Sequence, residues 1–473
     1  MVRKVRRLAL VPAAVVVGIM ALAGCTGTQS TGTGSAAAGP ATIKVWDWNA
    51  GQDYYATAFK KFTEKNPNTT VQYQFQAGTT FGTTVQAAFQ SNSEPDVFMG
   101  YFDTIPSLIS KGWIQPIGSV NDPATKAWMA TFPAGSFNQN AQIFDGKVYS
   151  FPYNPQSTIY LYYNKKVLAD AGITKPPTTW TQLRDDAKKV TGSSGGKASG
   201  MVTGAKDVWP WFMNVSYLAA TAGACNAGVG GSSPIAFDYS KGIYNPDNPA
   251  TKAAMQLWLD MKADGSIIPG VDSLTDAQAT AAFGTGRAAF MFSGSWLPSV
   301  LKQVAPSADF GVAAVPVPDS GRKGYDLLSS GFSWVLSSKT THKAAAIDVL
   351  KYISSVPFAE GYVKSGAGLS VFPQVNTPQN LSLKGMADVA SIALKTTKAA
   401  PILDPKAGII KPIFSDPQYP QILSAIWNGS TSVDAGLADL QARMNKALPD
   451  ALKGAGINNS ALTASTAGKC GSY

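Results

Sequence analysis

From Ile43 to Gly112 the chain alternates short apolar runs with longer stretches of helical period. Ile43–Trp46 reads as a strand, and Tyr55, Phe59 and Phe62 repeat at i, i+4, i+7, the mark of an amphipathic helix. Asn66-Pro67-Asn68 stops it. Val71, Tyr73 and Phe75 alternate as one strand face, Val85, Ala88 and Phe89 make a helix face, and residues 96–99 (DVFM) a buried strand. Ile105, Leu108 and Ile109 give a third helix, closed by Lys111-Gly112. Strands this apolar need cover on both faces, so a βαβαβα order predicts an α/β fold with a doubly wound sheet.

The alternation resumes further on. Residues 158–163 (TIYLYY), Ala289–Phe292, 310–315 (FGVAAV) and 332–336 (FSWVL) read as strands. Thr179-Trp180-Thr181-Gln182 has the pattern of a capping box and predicts a helix through Val190, followed by a surface loop over 191–200. Helix spacing also links Met255, Trp258 and Leu259, then Ala346, Val349, Leu350 and Ile353, then Val433, Leu437, Leu440, Met444 and Leu448. A chain of 473 residues exceeds what one core supports, so two domains are expected.

The N-terminus reads as an address. Arg3, Lys4, Arg6 and Arg7 precede an apolar run from Leu8 to Ala23. That run is shorter than the ~20 residues of a membrane span and suits a secretory leader. It ends in Leu22-Ala23-Gly24-Cys25, which resembles the bacterial lipoprotein box and implies lipidation of Cys25. Residues 1–24 are then signal peptide. Residues 25–41, rich in Gly, Ser, Thr and Ala, cannot bury enough area to fold and are expected to form a flexible tether. Membrane attachment through the lipid alone is expected.

Charge narrows the function. Net charge is +10, but basic residues outside the leader are scattered, without the clustered footprint nucleic-acid binding requires. Charged residues are 14% of the chain against roughly 25% in an average domain, which suits an extracellular surface of uncharged polar groups. The single histidine, His342, excludes a His-rich metal site and stands where a helix begins. No Gly-x-Ser-x-Gly elbow, Walker loop or His-Glu-x-x-His occurs, so neither catalysis nor a cofactor is expected. The tyrosines of 160–163 alternate faces and cannot converge on one iron ion. Of three cysteines, lipidation of Cys25 leaves Cys225 and Cys470. Export favours their pairing, which would close a loop of about 245 residues.

Six segments in order carry a family resemblance: IKVWDWNAGQDYYATAFKKFTEKNPNTTVQYQF (43–75), PDVFMGYFDTIPSLISKGWIQPI (95–117), YSFPYNPQSTIYLYYNKKVLADAGITKPPTTWTQL (149–183), AFGTGRAAFMFSGSW (282–296), GFSWVLSSKTTHKAAAIDVLKYISS (331–355) and WNGSTSVDAGLADLQARMNKAL (427–448). The chain resembles the family 1 extracellular solute-binding proteins, the maltose-binding-protein-like group. The resemblance implies a periplasmic-binding-protein-like fold of two lobes, each a sheet flanked by helices, with the ligand cleft between them. Mapped by motif order, lobe one is 42–152 plus 332–380 and lobe two is 153–331 plus 381–473. It also implies a monomer that delivers a carbohydrate to the permease subunits of an ABC importer.

Ligands of open α/β sheets sit at the carboxyl ends of strands. By that test, and by motif position, the candidate ligand residues are Trp48, Asn49, Tyr101, Asp103, Gln156, Ser157, Trp209, Trp211, Ser295, Trp296, Gly331 and Phe332. Asp47 is read as a cap or brace for the first turn. Aromatic rings suit the apolar C–H faces of sugars, and side-chain oxygens suit their hydroxyls. The acidic groups Asp47, Asp53 and Asp103 leave a polyamine-like cation as an alternative ligand, and a glycoside-active enzyme as a remote one. The cleft positions hold fewer acids than the maltose-binding pattern, and VWPWF (208–212) departs from it, so maltose itself is not implied.

Overall fold

The computed structural model describes residues 39–454 except 49–50, 77, 79, 102–103, 135, 138–141, 154–158, 208, 225–236, 239–240, 325, 329–331 and 400–418. The chain divides into two units, Met1–Gly39 and Pro40–Tyr473, and all the described helices and strands belong to the second. Cys25, Cys225 and Cys470, and with them the anchor and the expected disulfide, lie outside the described residues.

The opening alternation appears in the expected order: β1 (Ala41–Asp47), α1 (Gln52–Lys65), β2 (Thr69–Phe75), α2 (Phe81–Ser91), β3 (Val97–Tyr101), α3 (Ile105–Ser110) and β4 (Ile114–Gln115). A small antiparallel sheet comes next, from β5 (Gly118–Ser119), β6 (Ile143–Phe144) and β7 (Lys147–Val148), beside α4 (Pro123–Met129). The middle of the chain gives β8 (Ile159–Asn164), α5 (Lys165–Asp170), α6 (Trp180–Ser193), β9 (Ser199–Val202) and α7 (Trp209–Thr221). Then come the paired β10 (Phe237–Asp238) and β11 (Ile243–Tyr244), α8 (Pro249–Ala263), α9 (Asp276–Gly284), β12 (Ala288–Gly294), α10 (Leu297–Val304) and β13 (Phe310–Ala313). The last part holds β14 (Asp326–Leu328), β15 (Phe332–Ser337), α11 (Lys343–Ile353), α12 (Val356–Lys364), α13 (Met386–Thr396), β16 (Thr397–Ala399), α14 (Tyr419–Trp427) and α15 (Val433–Gly454).

Among the described residues, the first large sheet has the order β2-β1-β3-β15-β4, with β1, β2 and β3 parallel and β15 antiparallel to β3. Alternation along its strands builds two cores. Ile43, Val45, Val97, Met99, Trp334 and Leu336 face one side, under α1, α11 and α12. Phe98 and Val335 face the other, with Phe81, Val85 and Phe89 of α2. The second large sheet has the order β13-β8-β12-β9, β8 running against β12 and β13. All seven residues of β12 are buried, as a strand covered on both faces requires.

Local signals decide the helix ends. Thr179 caps α6 by accepting from Gln182 N at 3.3 Å, but Gln182 Oε1 bonds Thr178 N, so half of the expected box forms. A complete box opens α9, between Thr275 and Gln278. The expected loop 191–200 is shorter than predicted. α6 continues to Ser193, where Thr191 Oγ1 bonds the Ala187 carbonyl, and β9 starts at Ser199. His342 holds the N-cap position of α11 and is exposed.

The two cores are joined gradually. Tyr153, expected in lobe two, packs in the first core, where its hydroxyl meets that of Tyr55 at 2.8 Å. Leu381 and Met386 also belong to the first core, while Val389 belongs to the second. The change from the first core to the second therefore falls within the start of α13, beyond residue 380, the expected end of lobe one. Among the described residues, no helix is long and apolar enough to cross a membrane.

Candidate functional site

The carboxyl ends of β1, β2 and β3 share one edge of the first sheet, and β15 begins there, with Phe332 opposite Tyr101. Asp47, the last residue of β1, is wholly buried, and Tyr73 Oη donates to its two carboxylate oxygens at 3.2 and 3.3 Å. These bonds tie β1 to β2 at the edge. Trp48 comes next in the chain, half-buried, its ring centroid 4.4 Å from Phe81 and 5.3 Å from Phe332, the latter edge-on. Trp48, Phe332 and the backbone of Tyr101 are thus brought together. Phe75 ends β2 at the same edge with 42% of its surface exposed. It is not among the ligand residues expected from the sequence, although its place at a strand's carboxyl end is the signal that could have found it.

The second sheet has a matching edge, formed by the carboxyl ends of β9 and β12 and the start of β8, where Gly294 opposes Ile159. Ser295 is buried, and Trp296 is half-buried at the N-cap position of α10. The indole of Trp296 lies over Gly294, where an added Cβ would overlap three ring carbons. Only glycine fits beneath the ring. Tyr162 Oη fixes that glycine by donating to its carbonyl at 2.8 Å, and burial raises the Tyr162 phenol well above its ordinary range, keeping it a donor. After β9, Thr203 Oγ1 accepts from Asn214 Nδ2 at 2.8 Å, and α7 begins at Trp209.

Trp211 is a correction. It is 0% exposed, in the second core, with its ring centroid 4.7 Å from that of Trp427 and 5.6 Å from that of Trp258. Trp209 is the first residue of α7. Asn49, Asp103, Gln156, Ser157 and Gly331 lie outside the described residues. A cavity of about 520 Å³ opens elsewhere, between α8 and the α14–α15 turn, and none of the sequence-predicted ligand residues line it. The two edges gather aromatic faces and hydroxyls, groups suited to holding a neutral polar molecule.

Comparison with known proteins gives the family and the fold. The family model described as bacterial extracellular solute-binding protein matches residues 47–357. The chain is 26% identical over 296 residues to a putative binding protein of Brucella abortus (strain 2308), covering 61% of this chain and 66% of that protein's length. It is 24% identical over 453 residues to the diacetylchitobiose binding protein DasA of Streptomyces coelicolor, covering 93% of this chain and 98% of that one. Among solved structures, the GacH receptor of Streptomyces glaucescens, studied unliganded and with acarbose, superposes with a TM-score of 0.67 at 20% identity, over 88% of this chain and 99% of that one. The MalE maltose/maltodextrin-binding domain of Bdellovibrio bacteriovorus, bound to maltotriose, gives a TM-score of 0.67 at 21% identity, over 86% and 100%. The fold is therefore the two-lobe α/β fold of these proteins, and the chain belongs to the bacterial extracellular solute-binding protein family.

Proposed function

We propose that the protein captures a carbohydrate between the carboxyl edges of its two sheets, closes around it by hinge motion, and delivers it unchanged to the permease subunits of an ABC importer. The observation that carries this reading is the pair of aromatic stations: Trp48 with Phe332 on one edge, and Trp296 seated on Gly294 at the other. Flat rings at strand ends match the C–H faces of sugars. The relatives named for diacetylchitobiose, acarbose and maltotriose support the same ligand class. Two lobes, about 42–153 with 332–386 and 159–331 with 389–473, would close by rotation at the passages between the cores.

A thermal-shift screen against a carbohydrate panel, including N,N′-diacetylchitobiose, maltotriose and xylo-oligosaccharides, tests the reading. At 100 times its Kd a ligand adds about 2.7 kcal/mol to stability, so a true ligand stands well clear of the rest. Chromatography should then return the bound sugar unchanged and stoichiometric. Turnover to product, or a shift with spermidine alone that collapses in high salt, overturns it.

The lipid on Cys25 is proposed as the anchor. Cys25→Ala is expected to move the protein from the membrane to the soluble fraction. Equal partition of wild type and variant removes the anchor from the proposal.

A further inference from the structure

The turn that joins β9 to α7 is stitched to the start of α9. Lys206 N donates to Leu274 O at 3.0 Å, and Asp276 N donates to Asp207 Oδ2 at 2.7 Å. Asp207 N closes the turn on Gly204 O at 3.1 Å. At Gly204 an added Cβ would fall 2.5 Å from the Asp276 backbone, so the two segments are in close contact. Asp276 is the first residue of α9, and its N–H has no partner within the helix. The Asp207 carboxylate takes that bond from another element. Two residues after Asp207, α7 begins at Trp209.

We propose that Asp207 and Asp276 form a proton-sensitive clasp that holds the β9–α7 turn, and with it the first turn of α7, in place at the second sheet's edge. That this edge meets ligand rests on the proposed function, whereas the clasp itself stands on the contacts between the two segments. Burial first, and the charge of Asp207 second, push Asp276 up to about 6. Other charges on the adjoining segments are Lys206 in the turn, Asp272 before α9 and Lys302 on α10. β9, β12 and the rest of α9 carry none. Of these groups only Asp207 acts on the Asp276 titration. Below about pH 6, Asp276 is neutral, and the Asp207 carboxylate holds the Asp276 N–H without a like charge beside it. Above that pH Asp276 carries a charge that its burial disfavours and that the Asp207 carboxylate repels, so the clasp is tighter in acid.

Hydrogen–deuterium exchange of the full, ligand-free chain tests this at pH 5.0 and 7.5, with rates corrected for intrinsic chemistry. The informative segments are 203–208, 274–279 and 209–214. Their protection is expected to be roughly three- to tenfold greater at pH 5.0 in wild type, a fraction of the tenfold that each pH unit of differential titration allows. Asp276→Asn, which keeps the shape and removes the titrating group, should show high protection at both values, and Asp207→Asn, which leaves the burial of Asp276 in place, should show a smaller difference between the two values than wild type. Asp207→Ala, which removes the acceptor, should lower protection at both, in the first turn of α7 as well, while peptides from β12 stay unchanged. Equal wild-type protection at the two pH values overturns the proton sensitivity. Unaltered exchange of 209–214 in Asp207→Ala overturns the positioning role. No ligand enters the experiment, so failure to find a sugar and failure of the clasp remain separate results.

Discussion

Trp211→Ala is expected to cost about 3–5 kcal/mol of folding stability, and to leave ligand affinity of the folded protein unchanged. Trp211 has no exposed surface, and its ring contacts Trp427 of α14 and Trp258 of α8. It is where three helices meet, and none of them can collapse onto the gap alone. Trp427 is also held by Lys262, whose Nζ lies 4.2 Å from the ring centroid and donates to the Trp427 carbonyl at 2.7 Å. The truncation therefore leaves a cavity rather than a repacked core. Trp211→Phe is the control. It keeps an aromatic ring and removes an indole N–H that is buried without a hydrogen-bond partner, so it should cost less than half as much. Urea unfolding of the ligand-free proteins measures both. Near-native stability with lost affinity would return Trp211 to the ligand surface.

Trp211 also shows what a sequence pattern carries and what it omits. The first sheet was legible because Ile43, Val45, Tyr55, Phe59 and Phe62 each sit where one period predicts, and all are buried. The edge was legible at Trp48 because a strand's end can be located to within a residue or two. In VWPWF Trp211 reads as a presented aromatic, but inside α7 it turns into the second core. Phe75 is the opposite case, an exposed ring on a strand face that looks like core. Period two assigns a face but does not say where the cover over that face ends. β9 hides its limits because all four of its residues are buried, so it has no alternation to detect. The Asp207–Asp276 contact joins residues far apart in sequence, each resembling an ordinary turn or helix-start acid. Only packing brings them together.

Trp296→Ala is expected to weaken sugar binding by about 2–3 kcal/mol, roughly 30- to 150-fold, with a smaller loss of stability than Trp211→Ala. Both tryptophans pack with the second core but differ in support. Trp296 is half-buried, and the backbone of Gly294 lies directly beneath its ring. Its place is set by the end of β12, by the Tyr162 hydrogen bond to Gly294 and by the start of α10 at Leu297. Truncation therefore removes a contact surface without opening a closed cavity, and the transfer cost covers only the buried part of the ring. Gly294→Ala separates the presence of the indole from its position. The added methyl must push the ring aside, so affinity should fall although Trp296 remains. Isothermal titration with the sugar selected in the thermal screen, beside urea unfolding without it, gives both quantities. Wild-type affinity in Trp296→Ala defeats the stacking role. A large loss of stability with intact affinity makes Trp296 a packing residue of the second lobe instead.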